Sequence, residues 1–277
     1  MSELSERIYG EFSASGNGFP EADRLKDRLE AYRPFSGDEA IGLASYAEAF
    51  LVRFVHSSNA IEGSTLTEGD TALVLEGEFL PDKPGRDIFA ARGSADGFAY
   101  CQKALSEGKG LDVPLIQDIH ERVALDCQPA TRGVLRKSPV YLRGSDVVPA
   151  NWEEVRPLLR DLVAAEKGSK LHPVENAAAF HAMFEKIHPF SDGNGRTGRL
   201  LMNFMLERDG YPPIAIKHDG KGRYIDALRG WQSAGLRGPL VDLVESCVKS
   251  ELDARIGCVE STRFPRTEEG KAAQLEA

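Results

Sequence analysis

Apolar positions along the chain recur mostly at three- and four-residue intervals, the period of an amphipathic helix, and β-branched alternation is scarce. The first 36 residues read as a polar segment leading into Pro34-Phe35-Ser36-Gly37. Over 38–57 a stripe of Ile41, Ala44, Tyr46, Phe50, Phe54 and Val55 predicts a helix. A shorter one follows Thr67, through Leu73 to Phe79, and the Gly- and Pro-rich residues 80–86 break it. Helices are also expected over 87–106, 114–123 and 152–165. Over 173–187 a proline in the first turn, with Ala177, Phe180, Phe184 and Ile187 on one face, predicts another. The next spans 195–208, where Gly210 and Pro212-Pro213 stop it. Two more follow Arg223, and the polar tail from Arg263 is expected to fray. Residues 130–150 differ: Val134 to Leu142 and Val147-Val148 are extended runs around Arg143-Gly144-Ser145-Asp146, which predicts a hairpin. The fold class is therefore all-α with one small β-hairpin.

Composition narrows the partners. Acidic residues number 43 against 34 basic ones, a net charge of −9, so nothing global draws the chain to phosphate backbones and no nucleic-acid partner is expected. Hydrophobic and charged shares of 42% and 28% are ordinary globular values, which excludes a disordered chain or a collagen-like fibre. Cys101, Cys127, Cys247 and Cys258 form no C-x-x-C pair and no zinc spacing, and are expected as thiols in a reducing cytosol. There is no basic segment ahead of an apolar core at the N-terminus and no run of 18 apolar residues. A soluble, cytoplasmic protein with no signal peptide and no membrane span is expected.

The chemistry concentrates in His188 to Arg199, HPFSDGNGRTGR, between two predicted helices. Gly193-Asn194-Gly195 lets backbone N–H groups turn inward at a helix N-terminus, an anion nest reinforced by the macrodipole. Arg196 and Arg199 share a face of the new helix and suit phosphate geometry. Asp192 supplies one carboxylate, and nucleotide-borne magnesium commonly takes one or two such ligands beside phosphate oxygens. His188, four residues earlier, is placed to take a proton from a hydroxyl. Together these groups describe transfer of part of a nucleoside triphosphate. Gly193 to Gly198 also matches G-x-G-x-x-G, but a helix precedes it and no parallel-strand unit surrounds it, so the dinucleotide reading fails. No G-K-[ST] is present either.

The segment resembles the signature of the Fic family, H-x-F-x-[DE]-G-N-G-R-x-x-R, which His188, Phe190, Asp192, Gly193, Asn194, Gly195, Arg196 and Arg199 fit without departure. The resemblance implies a helical Fic fold and transfer of AMP from ATP to a protein Tyr, Thr or Ser hydroxyl. It implies His188 as base, Asp192 as the Mg²⁺ ligand, the nest on the phosphates, Arg199 at the γ-phosphate and Phe190 in the core. Doc-type kinases of the wider superfamily replace the second glycine of the nest; Gly195 is kept, which favours adenylyl over phosphoryl transfer. Upstream, Ser58-Asn59-Ala60-Ile61-Glu62-Gly63 is similar to the family's inhibitory pattern [ST]-x-x-x-E-[GN]. In that likeness Ser58, Glu62 and Gly63 belong to an inhibitory helix, Glu62 withdraws Arg199 from the γ-phosphate, and the same glutamate in some members orients water to remove AMP. The hairpin, with Val140, Tyr141 and Leu142, resembles the family's target-docking flap, along which an extended segment adds as a strand. Tyr224 would line the adenine pocket; Gln232 stands where some members carry Asn.

The implied organisation is a polar segment over 1–36, an N-terminal helical part with the inhibitory motif over 37–110, a catalytic core over 111–250, and a helix end with a polar tail over 251–277. The implied cofactors are ATP and Mg²⁺. The implied partners are a hydroxyl-bearing protein, which includes the chain itself, and a second copy in a homodimer. Taken singly, several of these residues have plainer readings: His188 as a helix C-cap, Asp192 as an N-cap, Glu62-Gly63 as a helix end, Tyr224 as core, Arg196 as a tie between nest and core, and His181 as a packed histidine. Ser58 on a helix often bonds only its own backbone. Two functional alternatives stay open: a Fic-fold transferase of another phosphate-linked group, and a nucleotide-binding regulator without turnover. A brake leaving one active molecule in a hundred requires roughly 2.7 kcal/mol. An exposed ion pair supplies under about 1 kcal/mol, so Glu62 must be enclosed or must also block the site.

Overall fold

A computed structural model describes residues 2–13, 18–142 and 147–264. The described chain forms α1 (Glu3–Ser13), α2 (Pro20–Glu30), α3 (Gly37–Ile61), α4 (Glu68–Leu75), α5 (Gly85–Ser106), α6 (Val113–Val123), α7 (Val155–Lys167), α8 (Pro173–Ile187), α9 (Asn194–Arg208), α10 (Lys221–Ala234) and α11 (Gly238–Arg263), with short 3₁₀ turns between some of them. No strand occurs among the described residues.

The spine is α8. From Val174 to Ile187 every residue except Lys186 is buried, the mark of a helix surrounded on all sides. Ala177, Ala178 and Ala179 keep its waist narrow, and α1, α7, α9, α10 and α11 pack around it. α9 is almost as buried and leans on α3, α5 and α6 as well. Thus the loop joining α8 to α9 is held between the two most enclosed helices of the molecule. Caps fix where neighbouring helices start. Ser36 and Glu39 form a reciprocal capping box on α3, Thr67 and Asp70 another on α4, and Asp112 Oδ1 accepts from Leu115 N–H at 2.7 Å on α6.

Three expectations change. The first 36 residues are not merely a polar lead-in: α1 and α2 place Ile8, Phe12, Ala22 and Leu25 in the core. Their apolar residues form a stripe only one or two side chains wide, which composition hides. Ile41 is 70% exposed, because the first turns of α3 run over the surface; of the expected stripe only Phe50, Phe54 and Val55 are buried. The expected hairpin is not seen. Both arms bond to the end of α8, and no strand forms between them among the described residues: Arg136 N–H donates to Pro189 O at 2.9 Å and Ala150 N–H to Lys186 O at 3.2 Å. Its expected turn, residues 143–146, lies outside the described residues.

Candidate active site

His188 ends α8 with φ 51° and ψ 63°, the only left-handed non-glycine residue described. Such a backbone costs roughly 1–2 kcal/mol and persists only where neighbours impose it. Arg136 imposes it: its Nε donates to His188 O at 2.7 Å, while Nη2 donates to Ile187 O at 3.2 Å and Ala150 O at 2.5 Å. The bend turns the His188 imidazole into a cavity of ≈ 500 Å³. Burial pushes its pKa down to about 4, so the ring is neutral and able to accept a proton at pH 7.

The loop beyond is braced from below. Asn194 Oδ1 accepts from Phe190 N–H, and Asn194 Nδ2 donates to Phe190 O, both at 2.9 Å. Phe190 is buried and stacks on His120, ring centroids 3.6 Å apart. His120 Nδ1 accepts from Gly133 N–H at 2.9 Å, so its proton sits on Nε2, which donates to Asp192 O at 2.9 Å. Burial holds this imidazole neutral as well, down to about 4. Gly193 takes φ +76° as the N-cap of α9, and no side chain caps the first turn there. In the nest expected at 193–195 the N–H groups of Asn194 and Gly195 therefore have no capping side chain, while that of Gly193 is taken by Asp192. Asp192 is more than half exposed beside it, accepting from Gly193 N–H at 2.6 Å and from Arg86 Nη2 at 3.0 Å. Among the described residues no three His, Cys, Asp or Glu side chains gather as a metal cage. A lone exposed carboxylate at a phosphate nest instead fits magnesium that arrives on a nucleotide.

The two arginines of α9 part ways. Arg196 is buried in a bidentate pair with Asp126, at 2.7 and 3.2 Å, and does not line the cavity. Arg199 does. Its Nε and Nη2 donate to Ser58 Oγ and Ser58 O at 2.9 and 2.8 Å, and Nη2 also to Glu62 Oε1 at 2.7 Å. Glu62 lies just past the end of α3, where Gly63 at φ +95° terminates the helix. Burial works to raise the Glu62 pKa, but the charge and hydrogen bond of Arg199 outweigh it and hold the carboxylate below its ordinary value. A Cβ on Gly195 would overlap Glu62 Oε1, so this carboxylate lies directly against the nest. Tyr224 and Gln232 of α10 both line the cavity. The Tyr224 hydroxyl is 2.7 Å from His181 Nε2 and 3.5 Å from Arg199 Nη1, and Gln232 Nε2 donates to Ala182 O at 3.1 Å. Leu142 reaches the cavity, Tyr141 is 89% exposed, and Val140 lines a separate surface hollow with them.

Sequence reasoning missed His120, Asp126, Arg136, Arg86 and Glu185. Of these only Glu185 had a visible signal, its three-residue spacing from His188. The others come from separate helices and loops.

The chain is similar to known proteins over most of its length. Residues 110–206 match the Fic/DOC family. The chain is similar to "Protein adenylyltransferase Fic" of Nematostella vectensis, 33% identical over 75% of this chain and 49% of that protein. The protein of the same description from Drosophila melanogaster is 32% identical over 83% of this chain and 46% of its own length. The chain thus spans about half the length of the curated relatives it matches. Among solved structures, a Fic domain containing signaling protein from Bacteroides thetaiotaomicron superposes with TM-score 0.77 at 28% identity, covering 87% of this chain and 97% of that one. Fic-1 from C. elegans does so with TM-score 0.74 at 26% identity, covering 87% and 70%.

Proposed function

The chain belongs to the Fic/DOC family through its domain at 110–206, and from that premise we propose that it is a protein adenylyltransferase, moving AMP from Mg²⁺-ATP to a protein Tyr, Thr or Ser hydroxyl and restrained by Glu62. One observation carries the reading: a neutral His188, the nest at Gly195 and the fixed cation Arg199 line one cavity of nucleotide size, with Glu62 lying across it. In the proposed reaction His188 takes the hydroxyl proton, and the nest amides and Arg199 hold the phosphates; Asp192 would hold Mg²⁺, which would supply countercharge for the leaving pyrophosphate. Arg196, tied to Asp126, secures the nest. Tyr224 and Gln232 stand at the place proposed for the base, and the 132–150 segment, with Val140, Tyr141 and Leu142, is the proposed dock for the target.

Of the two conditions set by the energetics, Glu62 meets the second: its side chain is 44% exposed, but its carboxylate occupies the space over Gly195 that a phosphate needs, and it pairs with an Arg199 that is 3% exposed. The family resemblance extends the proposal to removal of AMP, in which the same carboxylate, open to the cavity, would orient the attacking water. Homodimer formation and transfer to the chain itself rest on the family resemblance alone, and a cytoplasmic site of action on the cysteine spacing and the pattern of apolar residues. The test is His188→Ala in a Glu62→Gly background: removing a general base costs about 10²–10⁴ in rate, so AMP transfer falls below detection. Retained transfer overturns the role of His188. Competition among ATP, GTP, UTP and CDP-choline, read as the mass added to a target, separates AMP from other groups.

A further inference from the structure

Behind His188 lies a carboxyl group the proposed reaction has not used. Glu185, one helical turn earlier on α8, is buried and lines the same cavity. Its Oε2 lies 3.7 Å from His188 Nδ1, and its backbone carbonyl lies 3.4 Å from the same nitrogen. Its Oε1 is buried without a hydrogen-bond partner among the described residues. Gly198 of α9 makes room for it: a Cβ there would lie 2.7 Å from Oε1. A buried carboxyl with no cation of its own is costly to keep for packing alone, and an apolar side chain would serve packing better.

We propose that Glu185 is the positioning residue of His188, holding the Nδ1 side of the imidazole and balancing its charge once Nε2 accepts the hydroxyl proton. The inference rests on the adenylyltransferase reading. In that step the target O–H bond breaks and its proton passes to Nε2. The oxygen bonds the α-phosphorus, the bond from that phosphorus to the α–β bridging oxygen breaks, and pyrophosphate leaves. The proton then passes from Nε2 to solvent. An ionised Glu185 requires Nδ1 to carry hydrogen, which leaves the lone pair on Nε2. A protonated Glu185 makes no such demand, and only its backbone carbonyl, 3.4 Å away, is left to hold that hydrogen.

The groups facing Glu185 set when it ionises. They are Glu62 from the end of α3, Arg199 from α9, Tyr224 from α10, and His181 and His188 on α8; Arg136 faces His188 from the other side. Burial pushes the Glu185 pKa up to about 8, Arg199 opposes this, and the charge of Glu62 adds to it. Ejecting Glu62 therefore both frees Arg199 and favours the Glu185 carboxylate, so one movement prepares the phosphate site and the base.

The ring nitrogens of His188, followed by ¹⁵N NMR against pH, test this on the whole protein without turnover. Wild type shows an inflection near pH 8 beside the imidazole's own titration near 4. Glu62→Gly moves the inflection below 8, and Glu185→Gln abolishes it. No inflection in folded wild type overturns the proposal even if the Gln variant fails to fold, and so do identical curves for wild type and Glu185→Gln. In the Glu62→Gly background, Glu185→Gln lowers kcat roughly tenfold to a hundredfold, below the full cost of losing the base, and leaves KM for ATP unchanged. The kcat of the parent rises with pH through the same inflection, and that of the Gln variant does not. An inflection with no AMP transfer from Glu62→Gly contradicts the adenylyltransferase reading and leaves the His188–Glu185 pair standing. Transfer with no inflection does the reverse.

Discussion

Two arginines one turn apart on α9 make ion pairs of the same length and opposite character. Arg196 meets Asp126 at 2.7 Å with both side chains sealed, 4% and 2% exposed. Arg199 meets Glu62 at 2.7 Å with the arginine sealed and the glutamate 44% exposed. The first pair holds the floor of the nest to the end of α6, with Val123 O also accepting from Arg196 at 3.4 Å. In the second, Ser58 grips the guanidinium from behind with two acceptors, so the cation stays in place whether or not Glu62 does. A pair closed on both sides is architecture, because exchanging either partner means unfolding the site. A pair closed on one side is a fixed cation with an exchangeable anion, and a triphosphate is the anion this cavity suits.

The contrast can be broken at either end. The largest effect is expected at the sealed pair. Asp126→Ala strands a buried guanidinium and lowers folding stability by about 3–5 kcal/mol, read by urea denaturation; a loss under about 1 kcal/mol would show that the pair is not structural. At the open pair, Glu62→Gly leaves a folded protein whose AMP transfer rises about 100-fold, the equivalent of roughly 2.7 kcal/mol. An unchanged rate would remove the brake from the account. The smallest effect is thermal. With Mg²⁺-ATP at ten times its Kd, the Glu62→Gly protein gains about 1.4 kcal/mol, a Tm increase of roughly 3–5 °C, and wild type gains less because Glu62 competes. Equal shifts in the two proteins would mean that Glu62 does not contest the phosphate site.

What was legible in the sequence followed from contiguity. His188 through Arg199 lie in one run, so nest, base, carboxylate and cations could be assigned chemistry before any fold was known. The helix predicted over 173–187 occurs with those bounds because its proline, apolar face and flanking breakers agree. Glu62 and Arg199 are 137 residues apart, yet each motif was visible, and the structure joins them. The braces were not visible. His120, Arg136 and Asp126 act on backbone carbonyls or on one another across separate segments, and no local period marks them. α1 and α2 escaped notice because a one-sided stripe of few apolar residues looks polar on average. The 130–150 segment misled for a related reason: its extended residues spend their backbone bonds on the end of α8, so alternation predicted a ladder that the described residues do not form.

The central claim is that one cavity holds a transfer site whose cation Glu62 occupies. Intact-protein mass spectrometry of wild type, Glu62→Gly and Glu62→Gly/His188→Ala, each incubated with Mg²⁺-ATP and a lysate protein pool, tests it most directly. The account predicts AMP-sized mass additions, on the chain or on pool proteins, with Glu62→Gly alone. Equal additions with wild type, additions that survive loss of His188, or none with any of the three would contradict it.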